Sequence, residues 1–273
     1  MSTGALALAL AAALVHALWN VLVGSARDPR PAAAVAMVVG VAAALPIAAA
    51  TWDVRSGAIP WIAASALLEL AYIALLAAAY RGASVPVVYP VARGAAPPLV
   101  LAIAVATGTA ASAGQVAGVL LVAAGIGIVA LGAGRARPRQ LGLALGVAVT
   151  IAGYTLVDKQ GLRYGSPVPY LEAVMVWPSL AYAAWSLSRD GRPALRAAAN
   201  RSSVIAGLGM FGAYALALAA LQRAPAASVS AVRESSIVMA PLLAAMLGRT
   251  RLDPRTLVGA AVVAAGVAVV TLA

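Results

Sequence analysis

The sequence predicts an all-α membrane protein of ten transmembrane helices, arranged as two inverted five-helix repeats. Three observations carry that prediction. Of the 273 residues, 63% are hydrophobic and only 10% charged, whereas a soluble domain carries roughly 25% charged residues. The few charges are gathered into short gaps, and residues 2–26, 31–52 and 94–134 contain no Asp, Glu, Lys or Arg. A helix needs roughly 20 mostly apolar residues to cross a bilayer, so the first two runs are one span each and the third about two. Finally, blocks of the first half return in the second at nearly one offset.

Taken in order, span 1 (about 3–24) starts the chain without a basic leader, and further spans follow it. It therefore reads as a retained helix and not as a signal peptide. Span 2 (32–50) fills the next uncharged run, and span 3 (58–80) lies between Arg55 and Arg81. A polar, turn-forming gap divides the long run into spans 4 (84–106) and 5 (112–132). Spans 6 (141–158), 7 (168–187), 8 (203–222), 9 (225–247) and 10 (255–272) follow. The gaps at 133–140 and 188–202 are the two that hold runs of several Arg. Short connections predict that successive helices are antiparallel neighbours. A β-barrel would alternate apolar and polar residues, which these continuous Ala- and Leu-rich runs do not. The two repeats are expected over 1–134 and 139–273.

The gaps also set an orientation. Those after odd-numbered spans hold Arg27, Arg30, Arg81, Arg135, Arg137, Arg139, Arg189, Arg192, Arg196, Arg201, Arg249, Arg251 and Arg255; those after even-numbered spans hold only Arg55, Lys159, Arg163 and Arg223. Positive residues stay in the cytoplasm, so both termini are expected on the outer side of the inner membrane. The same distribution explains the net charge of +11 without a nucleic-acid groove. Cys is absent and His16 is the single His, which removes disulfides, thiol nucleophiles and zinc enzymes. No metal or other cofactor is expected.

The internal likeness has four blocks in one order. Gly118 and Gly125, the latter closing V-A-A-G, return as Gly259 and Gly266 with the same V-A-A-G. The text A-Y-I-A-L-L-A-A-A-Y-R around Tyr72 returns as A-Y-A-L-A-L-A-A-L-Q-R around Tyr214. V-A-R-G at Arg93 pairs with A-V-R-E at Arg233, and W-N-V-L from Trp19 with Y-T-L-V from Tyr154. Five spans per half start the second half from the opposite side of the membrane. Inverted repeats of this kind mark transporters whose site lies near the midplane between the halves.

H-A-L-W-N (16–20), Y-R-G-A-S-V-P-V-V-Y-P-V-A-R-G (80–94) and Y-T-L-V-D-K (154–159) resemble the drug/metabolite transporter superfamily, in its EamA-like branch. The resemblance covers the whole chain and is poor for substrate, since such members export amino acids, drugs, nucleobases or other metabolites. It implies a central cavity lined by spans 1, 3, 4, 6, 8 and 9, with spans 5 and 10 packed at the periphery.

Charge at bilayer depth needs a partner or a water-filled cavity. Glu69 falls centrally in span 3, Arg93 in span 4, and Arg233 and Glu234 in span 9; their charges sum to zero. One reading makes them structural ion pairs. The other makes them cavity groups that meet the substrate. It is favoured by the repeat relation of Arg93 and Arg233, by Tyr89 one turn before Arg93, and by Tyr72 on the face of Glu69. His16, Trp19 and Asn20 share one face of span 1, where Asn20 needs a hydrogen-bond partner, and Tyr154 and Tyr214 join the cavity set. Asp158 and Lys159 end span 6 and read as snorkelling groups. Glu172, near Tyr170 and Trp177, reads as an interfacial anchor. Pro86, Pro90, Pro97 and Pro98 in span 4 and Pro241 in span 9 interrupt helical hydrogen bonding; Pro86, Pro90 and Pro241 are the candidate hinges. Gly207-x-Gly209-x-x-Gly212 spells a dinucleotide fingerprint but lies inside an apolar run with no preceding strand, so it reads as helix packing. Gly114/Gly118 and Gly142/Gly146 read as small-residue contacts.

The expected function is alternating-access transport, directed outward, of a small organic metabolite that bears a carboxylate or similar acidic group, such as an amino acid. The expected partners are that solute and the lipid bilayer, with protons as candidate coupling ion through His16 and Glu69, and no nucleic acid. The protein is expected to be a monomer or weak dimer, and not an enzyme. Drug efflux by the same fold is the alternative; a membrane-embedded enzyme acting on lipid-linked substrates would want a cluster of acids and His that this chain lacks.

Overall fold

A computed structural model of the chain describes residues 1–80, 85–131, 137–246 and 253–273, with their side chains except at 80, 85–88 and 244. Arg81, Arg135, Arg249 and Arg251 of the orientation count lie outside the described residues. The described residues fold into eleven α-helices and one short 3-10 turn, with no strand. The helices are α1 (Thr3–Gly24), α2 (Pro29–Ala50), α3 (Ile59–Tyr80), α4 (Val85–Ala106), α5 (Ala113–Ala130), α6 (Pro138–Gly161), α7 (Pro167–Ala198), α8 (Arg201–Arg223), α9 (Ala226–Arg233), α10 (Ser236–Met246) and α11 (Pro254–Leu272).

Local chemistry sets several of these ends. Asn200 accepts from the Ser203 amide to start α8. At α5 the Ser112 hydroxyl and the Gln115 side chain cap each other's backbone amides, both at 3.1 Å. Pro stands in the first turn of α2, α6, α7 and α11, where the missing amide would have had no partner anyway.

Eight helices, α1 to α6 with α8 and α11, are long and apolar enough to cross a membrane, and the chain is a multi-pass membrane protein. The two remaining expected spans differ in physical character. Within α7, Pro, Tyr, Trp and Glu172 dilute the apolar run, and Gly191, at φ 77°, turns the chain so that the last residues run off in a new direction. The gap expected at 188–202 is therefore mostly helix. The expected span 225–247 is not one helix. It breaks at Glu234–Ser235 into α9 and α10, each too short to cross alone. The Ser235 hydroxyl takes the Val232 carbonyl at 2.7 Å, and the Ile237 and Val238 amides reach only three residues back, to Glu234 and Ser235. Serine hydroxyls compete with the helix for its own carbonyls, and here that competition coincides with the bend.

Sequence neighbours are not the main packing neighbours, contrary to the expectation from short loops. α1 packs chiefly on α8, α2 on α7 and α8, α3 on α6, and α5 on α11. A short loop fixes only where two helix ends lie, whereas the long contacts go to surfaces smooth enough to meet. Gly40 of α2 and Gly207 of α8 form one such surface: a Cβ at Gly40 would lie 2.8 Å from the Gly207 carbonyl. The expected packing role of the Gly207 motif thus holds, with Gly209 against Trp19, while Gly212 faces open space. Gly142 also meets nothing, so its expected pairing with Gly146 is corrected; Gly146 alone touches Leu75. Large apolar side chains such as Leu45, Ile47, Leu67, Leu120 and Leu208 point outward, as lipid-facing surfaces require.

Candidate functional site

Most ionisable side chains on the expected spans converge. Glu69 is 6% exposed, Arg93 3%, Arg233 9% and Glu234 2%. They come from α3, α4, α9 and the break after α9, and α1, α6 and α8 complete the cluster.

Three features of α4 present Arg93. Ala92 and Ala96 are fully buried beside it. Gly94 lets α4 close on α5, where a Cβ would sit 2.9 Å from Ile126 Cγ2. Pro97 and Pro98, which lack amides, leave the Arg93 and Gly94 carbonyls without their usual donors four residues on. Arg93 Nε stands 2.8 Å from Glu234 Oε2, and its guanidinium lies over the Tyr89 ring, 5.9 Å from the centroid. Its Nη2 is buried with no hydrogen-bond partner among the described residues. Because Arg233 ends α9 and Glu234 forms the turn, the two adjacent residues reach different neighbours. Arg233 lies over the Tyr214 ring at 5.7 Å and has no ion-pair partner within 4 Å among the described residues.

Tyr214 of α8 is the hub of the acidic side. Its hydroxyl lies 3.0 Å from Glu69 Oε1 and 2.7 Å from Asp158 Oδ2. Tyr170 of α7 donates to Asp158 Oδ1 at 3.1 Å. The rings of Tyr72, Tyr154 and Tyr214 run in series, at 6.3 and 6.0 Å between centroids. Across the cluster on α1, His16 Nε2 meets the Tyr89 hydroxyl at 3.4 Å and stacks edge-on with Trp19 at 4.9 Å. Asn20 is outside this network. Its side chain donates to the His16 carbonyl of its own helix at 2.8 Å, so the partner it needed is local. Trp19 Nε1 is buried without a partner among the described residues.

Two readings of acidic residues are overturned. Asp158 does not snorkel. It is 1% exposed, because α6 runs on to Gly161 and carries it inside. Lys159 instead reaches the end of α8, donating to the carbonyls of Leu221 and of Ala224, the latter at 3.0 Å, a favourable place for a cation. Glu172 is no interfacial anchor either: it is 3% exposed, and neither carboxyl oxygen has a hydrogen-bond partner among the described residues. Asp158 and Tyr170 are the residues that sequence reasoning missed. The spacing of Asp158, one turn after Tyr154 on the same face, was the available signal.

Of the candidate hinges, Pro86 falls in the first turn of α4, where it interrupts no helical hydrogen bond, and its side chain lies outside the described residues. Pro90 and Pro241 are interior to α4 and α10. Adding Asp158 also changes the charge balance, which becomes three carboxyls against two guanidiniums.

Chemically, the cluster offers unused guanidinium N–H groups on one side, two carboxyls on the other and tyrosine faces between. No group of three His, Cys, Asp or Glu among the described residues is arranged to hold a metal. Residues 139–272 match the EamA-like transporter family. One solved structure, described only as the crystal structure of a protein, superposes with a TM-score of 0.77 at 18% identity, covering 100% of this chain and 99% of its own. That likeness establishes the fold alone. No curated protein matches the chain.

Proposed function

We propose, from the premise that this chain belongs to the EamA-like transporter family, that it exports a small zwitterionic metabolite of the amino-acid type by alternating access. The observation that carries the reading is the unequal pairing of the two buried arginines. Arg93 is engaged by Glu234 but keeps Nη2 free, and Arg233 rests on Tyr214 without a carboxylate partner among the described residues. A guanidinium cannot lose its charge by deprotonating, so free N–H groups in a buried site want an anion, and a carboxylate suits them bidentately. Glu69 and Asp158, across the tyrosines, suit the ammonium end of the same molecule. With three carboxyls beside two guanidiniums, a purely anionic solute fits less well than a zwitterion.

Alternating access is supported by a packing pattern that reads the same from both halves. α1 on α8 answers α6 on α3, while α2 packs on α7, α4 on α9 and α5 on α11. That pattern supports a pseudo-twofold relation between 1–134 and 139–273, with ten spans when α7 is counted as one and α9 with α10 as another. The α9–α10 segment, broken at Glu234–Ser235, resembles the discontinuous helices that build transporter sites. The basic gaps support both termini on the outer side of the inner membrane, and the outward direction follows the family resemblance.

The test is Arg93→Lys in proteoliposomes. It keeps the charge opposite Glu234 and loses the planar fork. Uptake and efflux of labelled amino acids should fall sharply while the melting temperature stays near wild type. Normal flux, or a loss of flux matched by a loss of melting temperature, would make Arg93 a structural counter-charge and sink the assignment.

A further inference from the structure

Tyr214 presents one hydroxyl to two carboxyls. Its oxygen lies 3.0 Å from Glu69 Oε1 and 2.7 Å from Asp158 Oδ2, both within hydrogen-bonding range. A phenol owns one proton and can donate it once. If both carboxyls were ionised, one of the contacts would set two oxygens together with no hydrogen between them. Both become hydrogen bonds only when one carboxyl carries a proton and donates it to the Tyr214 oxygen.

The surroundings say which. Asp158 has a second phenol, with Tyr170 on Oδ1 at 3.1 Å. Two donors on its two oxygens make a well-solvated carboxylate. Glu69 has Tyr214 as its one hydrogen-bond partner among the described residues. The consistent arrangement is a one-way chain: Glu69 donates to Tyr214, Tyr214 to Asp158, and Tyr170 to Asp158 from the far side.

The other charges agree with this count. From α4 come Arg93 and Tyr89, from α9 and its turn Arg233 and Glu234, and from α6 Tyr154. α1 contributes His16. α2, which packs on α8, has Arg30 as its sole ionisable side chain, and that residue is paired at the helix end with Asp190. With Glu69 protonated, Arg93 and Arg233 balance Glu234 and Asp158, and the buried cluster is neutral. With Glu69 ionised, one negative charge stands uncompensated at membrane depth, where charge is costly.

We propose that Glu69, Tyr214 and Asp158 form a proton-binding site that holds one shared proton, carried by Glu69. A positively charged group entering the cluster compensates the same negative charge, so it and the proton exclude each other. The use of this exclusion in transport rests on the transporter reading above: the ammonium end of the solute displaces the Glu69 proton on one side of the membrane, and the proton returns on the other as the solute leaves. As Glu69 gives its proton to the Tyr214 oxygen, Tyr214 gives its own to Asp158 Oδ2; Asp158 then releases it to water, and the proton returns to Glu69 by the reverse transfers. This narrows the coupling expected from His16 and Glu69 to Glu69 alone, since His16 contacts Tyr89 on the arginine side.

The experiment is infrared difference spectroscopy of the purified protein, titrated across about pH 5 to 8, the range in which such a coupling group works. Wild type should show a carboxylic-acid C=O band at neutral pH. Glu69→Gln should remove it, and Asp158→Asn should make the proton easier to lose. Tyr214→Phe should shift the titration with little change in melting temperature. Glu172→Gln, at the other buried carboxyl, should leave the band intact. A wild-type spectrum without the band, or a band that survives Glu69→Gln and vanishes in Glu172→Gln, overturns the site. Flux measured in parallel separates the two readings. Pumping that persists without the band, or that follows Na⁺ and ignores pH, overturns the proton site and leaves transport standing; a normal band with no flux of any amino compound sinks transport and leaves the proton site.

Discussion

Along the contact of α5 with α11 the helices meet through Gly118, Gly125, Gly259 and Gly266, while along α4 and α9 they meet through Arg93, Glu234 and tyrosines. A Cβ at Gly125 would lie 2.8 Å from the Gly259 carbonyl, and one at Gly259 would lie 2.7 Å from the Gly125 carbonyl. Gly118 and Gly266 face each other in the same reciprocal way, each with its Cβ position 2.9 Å from the other's carbonyl. Backbone touches backbone there, with Val119, Val122, Ile126, Val263 and Val270 filling the sides. At one end Arg255 Nη1 donates to the Leu131 carbonyl at 3.5 Å; the glycine crossings themselves involve no ionisable side chain among the described residues. Lipid is as apolar as leucine, so such a seam holds by close packing alone. The central cluster holds by directed polar contacts and leaves several donors unused. One region is a finished interface. The other keeps buried polar atoms without partners among the described residues, and on that difference rests the proposal that solute binds there.

Substitutions that treat the two regions alike should give different outcomes. The largest effect is expected for Arg93→Ala, which strands Glu234 in the interior. Removing one partner of a buried pair costs about 3–5 kcal/mol in soluble proteins, so thermal melting should fall steeply and flux with it. A melting curve close to wild type would show that water already compensates Glu234. Next comes Gly125→Ala. Overpacking of this kind costs about 1–3 kcal/mol, and flux per folded molecule should remain normal; a specific loss of flux in folded protein would break the distinction between seam and site. Two residues along the same helix, Gly127 meets no neighbouring atom. Gly127→Ala should be neutral or stabilise by up to about 1 kcal/mol through helix propensity alone.

The smallest effect lies outside both regions. Arg30 donates to Asp190 through Nε and Nη2, and this pairing holds the Asp190 carboxyl below its ordinary range. A depressed carboxyl contributes stability above its unfolded value and loses it as pH falls through the folded one. Asp190→Asn should therefore remove less than about 1 kcal/mol, as for other half-exposed pairs, and should erase the acid-side part of the melting profile due to this pair. An unchanged acid profile would mean that Arg30 and Asp190 are not paired in the membrane-embedded protein.

Much of the fold was readable in advance, because a bilayer permits so few solutions. A run without charge that is long enough to span has to be helical to satisfy its backbone, so Thr3–Gly24, Ile59–Tyr80 and Val85–Ala106 begin and end within a residue or two of their expected bounds. The glycine pattern shared by α5 and α11 was legible as a repeat; that these glycines meet one another is what the structure adds. Arg93, Arg233, Glu69 and Glu234 stood out for the same reason: in an apolar run a charge is conspicuous.

Tertiary structure decided what one-dimensional spacing does not encode. Which carboxylate meets Arg93 depends on the break at Glu234–Ser235, where the Ser235 hydroxyl takes the Val232 carbonyl, and nothing in the spacing of that run of apolar, serine and charged residues says where its helix stops. Asp158 looked terminal because apolarity ended there, yet α6 continues three residues further, to Gly161, and Asp158 lies buried under Tyr214 and Tyr170. Helix partners were equally hidden. Loops tie neighbours in sequence, but the long contacts go to whichever surfaces are smooth enough to meet, and Gly40 against Gly207 becomes visible only in three dimensions. Sequence determined that the chain crosses the membrane many times and carries charge inside apolar runs; only the packing determined how those charges pair and which of them keep polar atoms without a partner among the described residues.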